Sequence, residues 1–269
     1  MFEQNFEPLC GESANLGRIA LVPWDIETFG FGVADYRCDT VDVSVQNCAL
    51  IAEHLEIWAG AHKVELIGTT VPACDTARLY FLQSLGFRYI NTTLTVCYER
   101  IENMEWLTEK VVLTPSEKSD LAPVMEICGQ AFKNGRYHDD IRVPKQLADL
   151  RYQHWASRTF EPGNQQVILV AKKNDQVCAF SIVEIDGEQG RLHLNAVAPK
   201  WQGKRIGIGM LASTICYFQQ HAVNTMRARI SAVNLPVVNM HAALGARFYD
   251  AEILLSWHAP WATHLVAGK

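Results

Sequence analysis

Between Leu192 and Ala222 the chain passes from a strand pattern, through a basic glycine-bearing loop, into a helix pattern. No other stretch narrows the choice of folds as much. Leu192 to Val197 reads as a strand that ends before Pro199. Ala198 to Arg205 reads as a loop carrying Lys200, Lys204 and Arg205. From Ile206 the apolar positions Ile206, Met210, Leu211, Ile215, Phe218 and Ala222 recur mostly at the three- and four-residue spacing of one helical face. Gly203, Gly207 and Gly209 cluster where loop becomes helix, and there a backbone can approach a ligand closely. A helix N-terminus also presents unpaired N–H groups, so the combination suits a phosphate.

Charge supports an anionic ligand at this point. From Gln189 to Tyr249 there is no Asp or Glu, while Arg191, Lys200, Lys204, Arg205, Arg227, Arg229 and Arg247 all fall inside that window. The formal net charge of the whole chain is −5, so the window should stand out as a local positive potential. The overall acidity also argues against broad nucleic-acid binding.

With 269 residues, 49% hydrophobic and 20% charged, the chain reads as a globular protein of one large or two smaller domains. Met1 to Leu16 carries three Glu and no apolar run, so no signal peptide, no membrane span and a cytoplasmic location are expected. Eight cysteines, none in a C-x-x-C, are expected as free thiols without a metal site.

Along the chain, Arg18–Pro23 reads as a strand, residues 24–33 as an aromatic turn with two glycines, and Ala34–Arg37 as a further strand. Val43–Gly60 and Thr76–Leu85 read as helices separated by the strand Val64–Thr70, and Arg88–Tyr98 as the strand that follows Gly86. After a charged connection come an entry strand at Val111–Leu113, a helix Leu121–Phe132, and a polar loop at 133–140. The helix Val143–Arg158, a hairpin about Asn174-Asp175 and the central unit follow; then come the strand Met226–Val233, the helix Pro236–Leu244 and the strand Phe248–His258. Ser84-Leu85-Gly86-Phe87-Arg88-Tyr89 lines up with Ala243-Leu244-Gly245-Ala246-Arg247-Phe248, and each follows a short helix and precedes a long strand. This faint repeat suggests two related modules, 1–105 and 106–269.

Three phosphate-loop patterns compete for the segment after Val197. A P-loop requires Ser or Thr after Gly-Lys, but Arg205 follows Gly203-Lys204. Gly207-Ile208-Gly209-Met210-Leu211-Ala212 has the letters of a dinucleotide fingerprint, yet it lies far past the strand and lacks the later carboxylate. The third pattern, Gln/Arg-x-x-Gly-x-Gly/Ala between strand and helix, is that of the Gcn5-related N-acetyltransferase (GNAT) superfamily. Val197 to Gly209 resembles it, with Gln202 and Gly207 matching and Arg205 standing where glycine is usual. Asn234-Leu235-Pro236, His241 and Leu244-Gly245 resemble the superfamily's downstream segment, with His241 in place of a tyrosine and Ala246 in place of a phenylalanine. A narrower resemblance, to the dTDP-fucosamine acetyltransferase group, is carried by Leu21 to Phe31, by Ala131-Phe132 with Arg136-Tyr137-His138-Asp139, and by His154-Trp155.

The resemblance implies an α/β fold: tandem GNAT-like modules with a mixed, mostly antiparallel central sheet flanked by helices. Residues 1–105 would be a degenerate module contributing to the acceptor site, and 106–269 the acyl-CoA-binding domain. Acyl-CoA, acetyl or longer, would be held by Val197, Gln202, Gly203, Lys204, Arg205, Ile206, Gly207, Ile208 and Gly209, with Asn234 near the pantetheine arm. His193, Asn195 and Val197 are expected to share one strand face. Of these, His193 can act as a base and Asn195 cannot; His138 and Asp139 are further base candidates. His241 is the expected acid for the leaving thiolate. Trp24, Phe29, Phe31, Arg136, Tyr137, His138 and Asp139 are the expected acceptor-binding residues, and the implied acceptor is a dTDP-linked amino sugar, with no nucleic-acid or membrane partner and a homodimer allowed. Acetylation of another small amine or a protein N-terminus, and a non-catalytic CoA-binding protein, stay open at this point.

Overall fold

A computed structural model of the chain describes residues 4–9, 16–39, 41, 45–104 and 111–263. Cys10, the first residues of the expected helix at 43, and most of the charged connection after Met104 lie outside them. The strands are β1 (Glu7–Pro8), β2 (Arg18–Leu21), β3 (Gly32–Arg37), β4 (Val64–Pro72), β5 (Arg88–Glu99), β6 (Thr114–Pro115), β7 (Gln166–Lys173), β8 (Gln176–Asp186), β9 (Gln189–Val197), β10 (Thr225–Ser231) and β11 (Arg247–His258). The helices are α1 (Pro23–Phe29), α2 (Val45–Ala61), α3 (Thr76–Ser84), α4 (Leu121–Ala131), α5 (Lys145–Thr159), α6 (Ile206–Gln220) and α7 (Leu235–Ala243).

Two expectations about local structure are corrected. The aromatic stretch after Val22 is a helix rather than a turn: Pro23 sits in its first turn, where a missing N–H costs nothing, and Gly30 closes it in the left-handed conformation at φ 76°. The entry strand does not form at Val111–Leu113; the short edge strand lies at Thr114–Pro115 and pairs with Leu169–Val170 of β7.

The chain divides into two compact units, each discontinuous in sequence. The first comprises Met1–Thr93, Arg136–Leu147 and Ala251–Lys269; the second comprises Leu94–Gly135 and Ala148–Asp250. The single cut at 105/106 expected from sequence order does not coincide with this division.

In the first unit the strand order is β1-β2-β3-β4-β11. β2 and β3 are antiparallel, β3 and β4 parallel, and Glu252–His258 of β11 runs antiparallel to β4. Ile19, Tyr36, Ile51, Leu55, Ile67, Leu82, Phe87, Leu255 and Trp257 share its core. The segment after Gly135 docks into this unit by polar contacts. Arg136 pairs with Asp35, in space left by Gly68 on β4, where any Cβ would collide with the guanidinium. Tyr137 donates its hydroxyl to Asp25 at 2.5 Å and sets its ring edge-on to Phe29. Asn91 donates to Asp139 at 2.6 Å. Asp140, 2% exposed, accepts from Ser256 Oγ at 2.5 Å and lies 2.7 Å from His258 Nε2, with Arg142 on its other oxygen. Burial alone would raise the Asp140 carboxyl, but His258, Ser256 and Arg142 outweigh it and hold the group ionised far below the usual carboxylate range.

In the second unit the order is β5-β10-β9-β8-β7-β6. β7, β8 and β9 form an antiparallel meander, and β10 joins β9 in parallel. Asn174 and Asp175, both at positive φ, make the β7–β8 turn, as a two-residue hairpin with the right-handed twist of its strands requires. α6 packs on one face through Leu211, Ile215 and Phe218, and α4 packs on the other through Val124, Ile127 and Cys128.

The faint repeat is a repeat of structure. α3 and α7 are each nine residues long, capped by a side chain that accepts from the third residue on (Asp75 and Asn234), stopped by a glycine at positive φ (Gly86 and Gly245), and followed by a twelve-residue strand. The architecture is the α/β tandem arrangement with a mixed sheet and flanking helices.

Removing the Asp140 carboxylate would leave His258, Ser256 and Arg142 facing a buried gap. Asp140→Ala is expected to destabilise the protein by about 3–5 kcal/mol. Denaturant unfolding is the measurement, and a loss under about 1 kcal/mol would mean that Asp140 does not anchor the segment.

Candidate functional site

The second unit holds a break in its sheet. β9 and β10 pair from Gln189–Thr225 to Leu192–Ala228, after which the parallel ladder ends although β9 continues to Val197 and β10 to Ser231. At the same place β9 carries a bulge against β8. Val183 pairs with Leu192 and Ile182 with Leu194, leaving His193 as the extra residue. A bulge bends a strand and strengthens its twist, and here it coincides with the point where the neighbouring strand is released. The backbone of β9 from His193 to Val197 therefore has an edge with no strand partner among the described residues.

The bulge also changes which face each side chain takes, because one extra residue inverts the alternation. Leu192 belongs to the α6-side core, but Leu194 and Ala196 belong to the α4 and α5 side. Val197 packs towards Met210 and Ile206 of α6. His193 stands beside Trp155 of α5, ring centroids 6.0 Å apart. His193, Asn195 and Val197 do not share one face: His193 takes the α5 side, and Asn195 and Val197 the other.

Downstream of β9, a short 3-10 turn at Pro199–Trp201 leads to the start of α6. Gln202, Gly203, Lys204 and Arg205 are exposed, and Gln202 Nε2 returns to the Val197 carbonyl at 3.0 Å. Gly203 and Arg205 both have positive φ, 76° and 61°. Arg205 thus adopts a left-handed backbone that glycine takes with less strain. Within α6 the hydrogen-bonded pattern starts with Gly209 N–H to the Arg205 carbonyl. Among the described residues, the N–H groups from Gly203 through Ile208 have no backbone acceptor. Six successive donors at the positive end of a fifteen-residue helix are chemistry that suits an anion. Gly207 keeps α6 close to α7, since a Cβ there would meet Met240 Sδ at 3.1 Å. Lys204 folds over the Trp201 ring, 4.6 Å from its centroid, and Lys173 lies 5.1 Å from it, so two cations are held beside the loop.

His193 has a partner that sequence reasoning missed. Its Nε2 lies 2.8 Å from Oε2 of Glu184 on β8, and Arg191 donates to Oε1 of the same carboxylate at 3.0 Å. Glu184 is 6% exposed. Burial would raise its carboxyl, but His193 and Arg191 hold it below the usual carboxylate range. Burial lowers the pKa of His193; the hydrogen bond and charge of Glu184 work against that shift, and Arg191 adds to it. The signal for Glu184 was present in the sequence, as a lone acid in the apolar run Val177 to Ile185, but its partner could be named only once the strand register was known.

His241 is placed differently from expectation. It is 3% exposed on α7, with Nδ1 and its own carbonyl oxygen 3.0 and 3.3 Å from the Tyr98 hydroxyl of β5. Burial lowers its pKa to about 4. Near neutral pH the ring is uncharged and enclosed, which suits a residue that fixes α7 against β5 better than a proton donor to a leaving thiolate. Asn234 caps α7 by accepting from Val237 N–H. Trp24, Phe29, Phe31, Arg136, Tyr137, His138 and Asp139 all fall in the first unit. Phe29 and Tyr137 are buried there, and Arg136 and Asp139 are bound to Asp35 and Asn91, so four of the seven expected acceptor residues hold that unit together. No helix among the described residues is long and apolar enough to cross a membrane.

The comparisons with known proteins bear on this arrangement. Residues 134–246 match the Acetyltransferase (GNAT) family. The spore coat polysaccharide biosynthesis protein SpsD of Bacillus subtilis (strain 168) is 26% identical over 149 residues, 55% of this chain and 50% of that protein. The chain thus spans about half the length of this curated relative. Among solved structures, a GCN5-related N-acetyltransferase from Sphaerobacter thermophilus superposes with a TM-score of 0.63 at 12% identity, covering 90% of this chain and 76% of its own. A tandem GNAT protein from the clavulanic acid biosynthesis pathway superposes with a TM-score of 0.61 at 15% identity, covering 92% and 81%. At such identities these two likenesses bear on the fold alone.

Two substitutions probe the site. Arg205→Gly should relieve a side chain held at positive φ and raise stability by up to about 1 kcal/mol, while weakening CoA binding at low salt; calorimetric titration beside a thermal melt reads both. His241→Phe should leave the Tyr98 hydroxyl only the longer bond to the backbone carbonyl of residue 241 and cost about 1 kcal/mol of stability, with any activity falling only in step with the folded fraction. A large loss of turnover in fully folded His241→Phe would return the proton-donor role to this residue.

Proposed function

From the match of residues 134–246 to the Acetyltransferase (GNAT) family, we propose that this protein transfers an acyl group from acyl-CoA to the amine of a nucleotide-linked amino sugar. The observation that carries the acyl-CoA half is the row of unpaired N–H groups from Gly203 to Ile208 beside the unpaired edge of β9. That row, with Lys204 and Arg205, would hold the pyrophosphate. The open edge from His193 to Val197 would lie along the pantetheine arm, with its N–H groups as donors to the carbonyl oxygen. Acyl-CoA supplies the activated thioester. The chain's own residues would orient the amine, take its proton as it attacks, and keep water out.

His193 is the base best supported. It lies at the bulge where the edge opens, and burial keeps its imidazole neutral and ready to accept a proton at physiological pH. Asn195, on the other face, can bond but cannot take a proton. With His241 enclosed, the thiolate would be protonated from solvent or by the proton that His193 has taken.

The sugar half of the proposal is supported by the polysaccharide-biosynthesis relative and by the resemblance of residues 21–31 and 131–139 to the dTDP-fucosamine acetyltransferase group. A dTDP-linked acceptor is the finer reading. The division of labour expected from sequence, with acyl-CoA on one module and acceptor recognition aided by the other, is part of it.

Initial rates decide between acceptors. With acetyl-CoA, a dTDP-linked amino sugar should be acylated at least about a hundredfold faster, in kcat/KM, than the same amino sugar without its nucleotide, because the nucleotide's binding energy would be lost. Equal rates, or a preference for a polyamine or a peptide N-terminus, would discard the nucleotide-sugar reading. Absence of turnover with every acceptor, alongside tight CoA binding, would favour a non-catalytic CoA-binding protein.

A further inference from the structure

We propose that Glu184 is a positioning residue for acyl transfer: it holds His193 as the Nε2–H tautomer, so that Nδ1 is the nitrogen that takes the proton from the acceptor amine. The inference rests on His193 being the base in the reaction proposed above. It deepens that reading by naming which nitrogen acts and what orients it.

The geometry carries it in three steps. An ionised carboxylate can only accept hydrogen bonds, so the 2.8 Å contact from His193 Nε2 to Glu184 Oε2 places the ring's proton on Nε2. A neutral imidazole with its proton there has its lone pair on Nδ1, the nitrogen turned away from Glu184. The carboxylate is itself fixed. Arg191, directly opposite on β9, donates to Oε1 at 3.0 Å, and Gln166, paired with Glu184 across β7, adds a hydrogen bond. Gln166 accepts in turn from Trp155 Nε1 at 3.0 Å, and Trp155 stands beside the His193 ring. The imidazole is therefore held at one end by a buried anion and along one side by an indole that the same network anchors. A bulge residue such as His193 has lost its regular cross-strand neighbour, so its orientation depends on these side-chain contacts more than on the ladder.

A structural ion pair would need only Arg191 and Glu184. The addition of His193 on the second oxygen, at the one point of β9 where strand pairing fails on both sides, is what points to a task. In the reaction the amine nitrogen bonds to the thioester carbon, the carbon–sulfur bond breaks, and the nitrogen's surplus proton passes to Nδ1. The positive charge that forms on the ring then lies against Glu184, which stabilises it.

The test uses the full chain, Glu184→Gln and His193→Ala, with acetyl-CoA and the amine acceptor that the wild type turns over. Glu184→Gln should lower kcat by on the order of tenfold or more, part of the roughly hundredfold or greater contribution of a positioned base, while KM for acetyl-CoA stays within about twofold. His193→Ala should lose at least as much. Ring-nitrogen NMR of the wild-type protein should show His193 protonated at Nε2 and bare at Nδ1 near neutral pH, and Glu184→Gln should shift or mix that tautomer. Normal kcat in folded Glu184→Gln alongside a crippled His193→Ala would overturn the positioning role and leave the base reading standing. Normal kcat in His193→Ala would sink the base reading itself, and no turnover by the wild type would sink the acyltransferase proposal. If Glu184→Gln does not fold, the wild-type spectrum still decides, since a proton on Nδ1 contradicts the inference.

Discussion

The second unit depends on a hydrogen-bond ladder that stops early. β9 and β10 run in parallel for only four pairs, and the release of β10 after Ala228 exposes backbone groups that an ordinary sheet would satisfy. Buried or half-buried backbone groups without partners are costly, so such a break persists only where its surroundings enforce it. Here the bulge at His193 enforces it from one side, by pairing two residues of β8 across three of β9. Beyond the strand, α6 starts close to Met240 of α7, where a Cβ on Gly207 would stand 3.1 Å from the Met240 sulfur. An unpaired edge and a row of donors then follow one another along fewer than twenty residues, and both are of the kind that an extended, phosphate-bearing ligand satisfies.

The loop and the helix behind it were legible in the sequence because they rest on local signals: glycines, cations, an acid-free window and a three-four periodicity. The repeat around Gly86 and Gly245 was legible for the same reason. α1 could have been read from Pro23 and Gly30, but the aromatics and glycines between Trp24 and Val33 pointed to a turn. What could not be read was everything that depends on register. Leu192-His193-Leu194 alternates as any strand would, and no residue in it marks a bulge. The bulge sets His193 and Asn195 on opposite faces and brings His193 to Glu184. His241 shows a different limit. Its place on a short helix could be read from Pro236 and Gly245, but its enclosure depends on Tyr98, 143 positions away in sequence.

The polar segment from Arg136 to Arg142 shows how the same residue types serve structure. A cluster of Arg, Tyr, His and Asp in a loop reads as recognition chemistry. In the first unit that cluster is a set of buried and half-buried ionic and hydrogen-bonded contacts, and Gly68 keeps room for one of its guanidiniums. Asp25, Asp35, Asn91 and Ser256 are the other halves of those contacts, and which of them meets which residue of the segment could not be read from the sequence.

The discontinuous make-up of the two units has a consequence for how the chain comes into being. β4 is completed only by Glu252–His258, which leaves a ribosome long after β4 itself, and the core around Leu82 and Phe87 needs Leu255 and Trp257 from the same segment. The first unit cannot finish folding as its early residues emerge; they must wait, with the edge of β4 uncovered, while the intervening residues are made. Long-range closure of this kind costs little free energy but much time. The natural places to cut or rejoin such a chain are therefore not the ends of its sequence modules, and a fragment ending near residue 105 would carry an open strand rather than a domain.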